Sequence, residues 1–140
     1  MPASLLRRLG AILYDTLILL ALFMVGTGLL LPFLAEQLPP IEPADIRYQL
    51  YLLAIAFLYL VFFWTRGGQT LGMLAWRLRV VVANTNGNIG FRTATLRFFT
   101  ALLSWLAAGL GFWWCLFDAE WRCWHDILSG SRLVLVQRTR

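Results

Sequence analysis

The sequence predicts an all-α integral membrane protein with two spanning helices and a third apolar helix that spans or is re-entrant. It also predicts a short interfacial helix and a two-stranded β pairing on the cytoplasmic side. Three observations predict this class. Hydrophobic residues make up 60% of the chain and charged residues 14%, against about 45–50% and about 25% in soluble domains. The apolar residues form three long runs, and the twelve basic residues, all Arg, flank them.

Composition also excludes several other classes of protein. A length of 140 residues fits one domain, 1–140. The chain has too much apolar side chain to stay disordered. Its two cysteines, Cys115 and Cys123, do not support a disulfide scaffold. The basic residues form no patch that is separate from the hydrophobic segments, so we expect no nucleic-acid partner.

The first apolar run predicts a spanning helix over about residues 9–33. Roughly 20 apolar residues cross a bilayer core, and this run holds a single charge, Asp15. A signal peptide is the alternative, because Arg7 and Arg8 form a basic start. The run is too long for a signal peptide, it contains an Asp, and no small-residue cleavage site follows. We therefore interpret it as a membrane helix.

The second spanning helix is predicted over about residues 46–64. The segment 35–47 before it contains three prolines and three acidic residues, which end the first helix. Tyr48, Tyr51 and Trp64 lie near the ends of the second run, where interfacial aromatic residues occur.

An Arg-rich loop, 65–97, follows the second helix. It has five Arg and no acidic residue. Residues 70–76 predict a short helix lying on the membrane, and the Val-rich stretch Leu78–Val82 predicts a strand. An Asn-Gly turn follows, and a helix should restart near Phe91. The stretch Ser131–Gln137 in the tail predicts a second strand.

The third apolar helix is predicted over about residues 91–117, with two topologies. Arg in the short loops places the N-terminus and the Arg-rich loop in the cytoplasm. If the third run spans, the tail 118–140 lies outside with four Arg. If the run turns back at Gly109 to Gly111, eleven of the twelve Arg lie inside. The re-entrant topology is favoured, since it also lets the two predicted strands pair.

Asp15 is the sharpest candidate for a functional residue. A carboxylate near the centre of a membrane helix costs about 2.5–3.5 kcal/mol on insertion scales, so it needs a partner or water. Arg8 shares its helix face, but the rise of roughly 10.5 Å is too long for easy direct pairing. Water, a ligand, a lipid phosphate or a loop Arg could bridge the two. Asp15 is therefore either a protonatable or cation-binding group or a structural hydrogen-bond acceptor.

The adjacent pair His125 and Asp126 is the second candidate. It could form a proton relay or a metal corner, or Asp126 could cap a short helix ending near Gly130. The chain has no other His, and Cys115 and Cys123 do not have a usual zinc spacing. We therefore expect no metal and no cofactor. No nucleophile lies in a recognisable triad context, so we do not expect an enzyme.

The order of these features resembles the RDD family of small membrane proteins, named for one Arg and two Asp. Arg8, Asp15 and Asp126 match these three residues. The resemblance also rests on Gly68 and Gly72 in Gly67-Gly68-Gln69-Thr70-Leu71-Gly72, on Leu78-Arg79-Val80-Val81, on Arg97, and on Trp124-His125-Asp126-Ile127-Leu128-Ser129-Gly130-Ser131. Two positions depart from the family pattern. Met73 stands where Lys or Arg is usual, and Ser129-Gly130-Ser131 stands where Ala-Gly-Thr is usual.

The resemblance implies a membrane domain suspected of transporting unknown ligands, with some members linked to sodium/proton exchange. Two functional hypotheses follow. In the first, Asp15 binds a proton or cation during transport, and a homo-oligomer builds the path. In the second, the Arg and Asp residues are structural in a membrane scaffold or accessory module. The Arg-rich loop could also bind anionic lipid. Family resemblance and the Arg asymmetry favour the bacterial inner membrane, with the bilayer as partner.

Overall fold

The protein is mostly helical with a small two-stranded sheet. The computed structural model describes residues 4–34, 45–107, 109–114, 117–118 and 122–136. The elements within these ranges are α1 (Leu5–Leu34), α2 (Ile46–Arg66), α3 (Leu71–Ala75), β1 (Leu78–Val82), α4 (Phe91–Leu106), α5 (Leu110–Trp113), α6 (Trp124–Leu128) and β2 (Ser131–Leu135). The predicted helix–helix–strand–helix–strand order is present. Residues 35–44 of the predicted proline-rich break 35–47, and Cys115, lie outside the described residues, and residues 46–47 of that break belong to α2.

The two longest helices are long and apolar enough to cross a membrane. α1 has 30 residues and α2 has 21, which correspond to about 45 Å and about 32 Å at 1.5 Å per residue. A hydrocarbon core is about 30 Å thick. Only 11% of the most apolar stretch of each helix is buried within the protein. A core helix of a soluble protein would be mostly buried, so these helices are candidate membrane spans.

The helix boundaries differ slightly from the predicted ones. α1 begins at Leu5, four residues before the apolar run, so Arg8 lies on the helix. α2 begins at Ile46, as predicted, because the Asp45 carboxylate accepts the Arg47 amide N–H at 2.9 Å. Thr27 and Tyr48 share a hydrogen bond of 2.9 Å between α1 and α2.

The third apolar helix, predicted over about residues 91–117 either as a span or with a turn at Gly109 to Gly111, is interrupted at Gly109. α4 ends at Leu106, and α5 begins only at Leu110. Gly109 between them has φ +76°, a left-handed conformation that glycine adopts readily at helix ends. Its amide donates to the Ser104 carbonyl at 3.0 Å, which closes the end of α4. α4 alone is about 24 Å long, short of a bilayer core.

The predicted strand pairing is confirmed. β1 and β2 are antiparallel, with Leu78 opposite Leu135 and Val82 opposite Ser131. The sheet packs one face against the helices. The resulting core contains Ala11, Val61, Trp64, Leu78, Val80, Ile89, Ala94, Phe98 and Leu133. This arrangement fixes the tail against the start of α1.

α3 lies directly on α1 because two glycines allow close approach. Thr70 caps α3 by accepting the Met73 amide at 3.2 Å. A Cβ added at Gly72 would lie 2.4 Å from the Ala11 carbonyl oxygen. A Cβ added at Gly10 would lie 2.3 Å from the Trp76 ring. The predicted short helix is therefore held over one face of α1.

Candidate functional site

Two Arg and one Asp that are far apart in sequence meet at a buried ion-pair cluster. Asp126 Oδ2 accepts a hydrogen bond from Arg8 Nη1 at 2.8 Å, and Asp126 Oδ1 accepts one from Arg97 Nη1. Asp126 is fully buried, and Arg8 and Arg97 are 6% and 2% exposed. We call Arg8, Arg97 and Asp126 the Arg–Asp–Arg cluster. It joins α1, α4 and α6.

Local structure at the start of α6 positions the shared carboxylate. Asp126 Oδ2 also accepts the Cys123 amide N–H at 3.2 Å, so Asp126 stabilises the first turn of α6 as well as binding both Arg. Arg97 Nη1 donates to Ser131 Oγ at 2.7 Å, and Ser131 begins β2. Ser131 retains the hydroxyl that a Thr would supply at this position. The predicted capping role and the ion pair therefore belong to the same residue.

The same neighbouring charges determine the charge states of His125 and Asp126, and they leave one side chain neutral and the other ionised. The pKa of His125 is lowered to about 3, mainly by burial and also by the charges of Arg97 and Arg8, which together outweigh the raising effect of Asp126. Burial alone would raise the pKa of Asp126, but Arg97, His125 and Arg8 outweigh it and hold that pKa well below its usual range. His125 is therefore neutral and Asp126 ionised near pH 7.

Cys123, His125 and Asp126 lie close enough together to resemble the ligands of a metal site. Their ligand atoms all lie within 4.8 Å of one another. Both Asp126 oxygens, however, already accept hydrogen bonds from guanidinium groups, and Arg8 Nη1 lies 3.5 Å from Cys123 Sγ. A metal cation would have to displace these positive charges. The donor set therefore fits a buried ion pair better than a metal centre.

Asp15 forms a second cluster with neutral donors. Asp15 Oδ1 accepts from the Tyr59 hydroxyl and from the Gly72 amide, both at 2.9 Å. Asp15 Oδ2 accepts from the Thr70 hydroxyl. We call Asp15, Tyr59, Thr70 and Gly72 the Asp15 cluster. It joins α1 to α2 and α3, while Arg8, which shares a helix face with Asp15, binds Asp126.

The two motif glycines, Gly68 and Gly72, act through their backbone, one by a turn and the other by a close contact. Gly72 brings its amide to Asp15, and a Cβ there would lie 2.8 Å from the Asp15 carboxyl carbon. Gly68 has φ +69°, and its carbonyl accepts the Val80 amide at 2.7 Å, so it turns the chain from α2 toward β1. Gly68 belongs to neither cluster.

Both clusters border one cavity of about 270 Å³. Arg8, Asp15, Arg97 and His125 all line it. The cavity lies between one face of α1, one face of α4 and the end of α2. The structure therefore brings four of the sequence-predicted residues to a common space, although Arg8 and Asp15 have different direct partners.

Sequence reasoning missed several partners and misplaced one aromatic residue. Tyr59 and Thr70 were not singled out, although a hydroxyl inside an apolar run needs a hydrogen-bond partner and could have indicated Tyr59. Trp64 was expected at the membrane interface. It is instead 5% exposed, and the Arg97 guanidinium carbon lies 5.3 Å from the centre of its ring.

These features define a small helical domain of the membrane-protein type, with two long apolar helices, a two-stranded sheet and buried Arg–Asp contacts that join α1, α4 and α6. The profile described as the RDD family matches residues 2–130. The chain therefore belongs to the RDD family, and the resemblance seen in the sequence is confirmed. No curated protein and no solved structure matches it.

Proposed function

We propose that the chain is a multi-pass domain of the bacterial inner membrane, with its N-terminus, Arg-rich loop and tail in the cytoplasm. The β1–β2 pairing and the Arg8–Asp126 ion pair support this topology, because they bring these three segments together. Eleven of the twelve Arg then lie on one side, in agreement with the positive-inside rule. The segment 91–117 enters the bilayer and returns without crossing it.

Within this placement, the motif residues serve a structural role in a membrane accessory module. One observation supports this proposal: each oxygen of Asp15 and of Asp126 accepts a hydrogen bond from a distant segment of the same chain. The Asp15 cluster holds α3 over the membrane helices. The Arg–Asp–Arg cluster holds the tail against α1 and α4. Together the two clusters hold α3, α6 and the sheet, on the cytoplasmic side, against the two spanning helices.

The variant Asp15→Asn tests the structural role. It loses acceptor capacity toward three donors, and hydrogen bonds to charged groups contribute about 1.5–3 kcal/mol each. We expect the melting temperature in detergent to fall by at least about 5 °C. Asp45→Asn is the matched control, because Asn and Asp cap helices equally well. An unchanged melting temperature for Asp15→Asn, equal to that of the control, would contradict the structural role.

Transport of an ion or small solute is the second candidate function. It is favoured by the position of Asp15 on a cavity shared with Arg8 and Arg97. Two spanning helices are too few to enclose a path, so this function requires a homo-oligomer. We expect Asp15→Asn protein, matched to wild type for folded amount in proteoliposomes, to lose ion flux. Equal flux in the two proteins would reject a transport role for Asp15.

The Arg-rich loop supports an additional lipid contact. Arg66, Arg77 and Arg92 are exposed, and Arg near a cytoplasmic membrane surface attracts anionic lipid. We expect more anionic lipid than zwitterionic lipid to co-purify with the protein, and high salt to remove the difference. Equal retention of both lipids at low salt would contradict this contact.

A further inference from the structure

We propose that the cavity between α1, α2 and α4 binds a single-chain amphiphile with an oxyanion head, a carboxylate or a phosphate. The head lies at Trp64 and Arg97, and the chain leaves sideways between α1 and α4 into the bilayer. This proposal goes beyond the structural role of the motif residues and rests on the membrane placement proposed above.

The walls of the cavity combine a polar end with apolar sides. Lining residues on α1 recur every three or four positions from Arg8 to Leu19, the spacing of one helix face. On α4 they recur from Arg97 to Trp105. Ile12, Leu19, Leu60, Met73, Ala101 and Leu133 supply the apolar sides. A ligand that fits must therefore be polar at one end and apolar along the rest.

Two buried hydrogen-bond donors indicate the chemistry of the head. Trp64 Nε1 and Arg97 Nε are buried and have no hydrogen-bond acceptor in the part of the chain described. Both residues line the cavity, and the guanidinium of Arg97 lies over the Trp64 ring. A buried N–H without an acceptor is costly, so such groups bind an oxygen when one is within reach. The head therefore supplies acceptor oxygens.

The charges at this end favour an anionic head. The cationic guanidinium of Arg97 binds Asp126 and Ser131 through Nη1, while its Nε–H has no acceptor among the described residues. The Asp15 carboxylate on the same cavity directs its hydrogen bonds to Tyr59, Thr70 and Gly72, on α2 and α3. An oxyanion at Arg97 would accept a charge-assisted hydrogen bond from Nε, whereas an ammonium head has no acceptor to offer Arg97 Nε or Trp64 Nε1.

The opening and the volume indicate a single chain. Thr16 and Trp105 line the cavity and are exposed, so the opening lies between α1 and α4. The neighbouring surface of both helices is apolar, with Leu13, Leu20 and Leu106 exposed. The volume of about 270 Å³ is below the roughly 300–1,000 Å³ of pockets for drug-sized ligands. It holds a head and the first part of one chain, while the rest lies in the bilayer.

The test uses the full chain in phosphatidylcholine nanodiscs, titrated with oleate, oleoyl-lysophosphatidate or oleylamine. Native mass spectrometry counts the molecules bound per chain. We expect one oleate or one lysophosphatidate per chain and no oleylamine. The two oxyanion arms distinguish a free fatty acid from a lysophospholipid, and binding of either supports the proposal. Binding of oleylamine as tight as that of the oxyanions would overturn it.

Two pairs of variants locate the site. Ala101→Trp fills the cavity and should abolish binding, whereas Leu103→Trp, on the exposed side of the same helix, should not change it. Trp64→Phe keeps the ring under Arg97 but removes the indole N–H, and should weaken binding roughly tenfold. Trp76→Phe, outside the cavity, should bind as wild type does. Unchanged binding in both Ala101→Trp and Trp64→Phe would overturn the proposal.

The outcome also separates this proposal from the membrane placement. If the chain does not remain with the nanodiscs, the membrane placement fails and this proposal fails with it. If the chain stays in the nanodiscs with its wild-type melting temperature but binds neither oxyanion, this proposal alone is wrong.

Discussion

Replacing Asp126 with Asn is the most direct test of the Arg–Asp–Arg cluster. The change keeps the size and shape of the side chain and removes its negative charge. One Asn oxygen can still accept the Cys123 amide that now donates to the carboxylate at 3.2 Å. The start of α6 therefore retains its cap, and the measured effect reports mainly on the two guanidinium groups.

The expected loss follows from burial. Asp126 is fully buried, and its partners Arg8 and Arg97 are 6% and 2% exposed. Removing one partner of a buried ion pair costs about 3–5 kcal/mol, because the remaining charge stays buried without compensation. Here two positive charges lose one shared carboxylate. We therefore expect the free energy of unfolding of Asp126→Asn to fall toward the upper end of that range.

Reversible unfolding in detergent, followed by circular dichroism, measures this loss. Asp118→Asn is the matched control, because its ion pair with Arg122 is partly exposed and such pairs contribute about 0–1 kcal/mol. Adding Arg8→Gln to Asp126→Asn should recover part of the loss, since it removes one buried charge. A loss below about 1 kcal/mol, or strictly additive effects in the double variant, would refute this reasoning.

Three further variants test other contacts. Gly72→Ala should lower the free energy of unfolding by about 3 kcal/mol or more through overpacking, because the new Cβ would lie 2.4 Å from the Ala11 carbonyl oxygen. Gly28→Ala is the control: its Cβ would meet open space, so it should unfold no more easily than wild type. Tyr59→Phe should lower the free energy of unfolding by about 1–3 kcal/mol in the same assay, because Asp15 loses a buried hydrogen bond. Stability should fall by about 2 kcal/mol from pH 7.5 to pH 5, since unfolded His takes up a proton near pH 6.5 while buried His125 does so only near pH 3. His125→Gln should flatten this dependence, and an unchanged slope would show that other groups cause it.

The fold could be predicted where one local property decides the structure. The bounds of α1 and α2 follow from apolar composition, and Asp45 marks the start of α2. The strands were predictable because a Val-rich stretch and the tail share a β-type pattern between turn residues. The interruption of the third apolar run was also predictable locally, because Gly109 and Gly111 mark it, and Gly109 adopts a left-handed conformation after the end of α4.

The site was less predictable, because its geometry depends on contacts far apart in sequence. Arg8 and Asp15 share a helix face, yet each binds a partner from another segment. Asp126 lies 118 residues from Arg8, and no periodicity reports such a distance. Tyr59 resembles an ordinary aromatic residue of an apolar helix until α1 places a carboxylate beside its hydroxyl.

The separation between the partners of the two clusters implies an order of assembly. The donors to Asp15 follow it by 44 to 57 residues, so this contact can form while the C-terminal part is still in the ribosome. Arg8 must wait for Asp126, 118 residues later, which takes roughly 6–24 s at ordinary rates of synthesis. Until then Arg8 and Arg97 lack the carboxylate that they share in the folded protein. Translation that stops before residue 126 therefore yields a chain in which Asp15 already joins α1 to α2 and α3, while Arg8 and Arg97 lack the carboxylate that holds α6 and β2 against them.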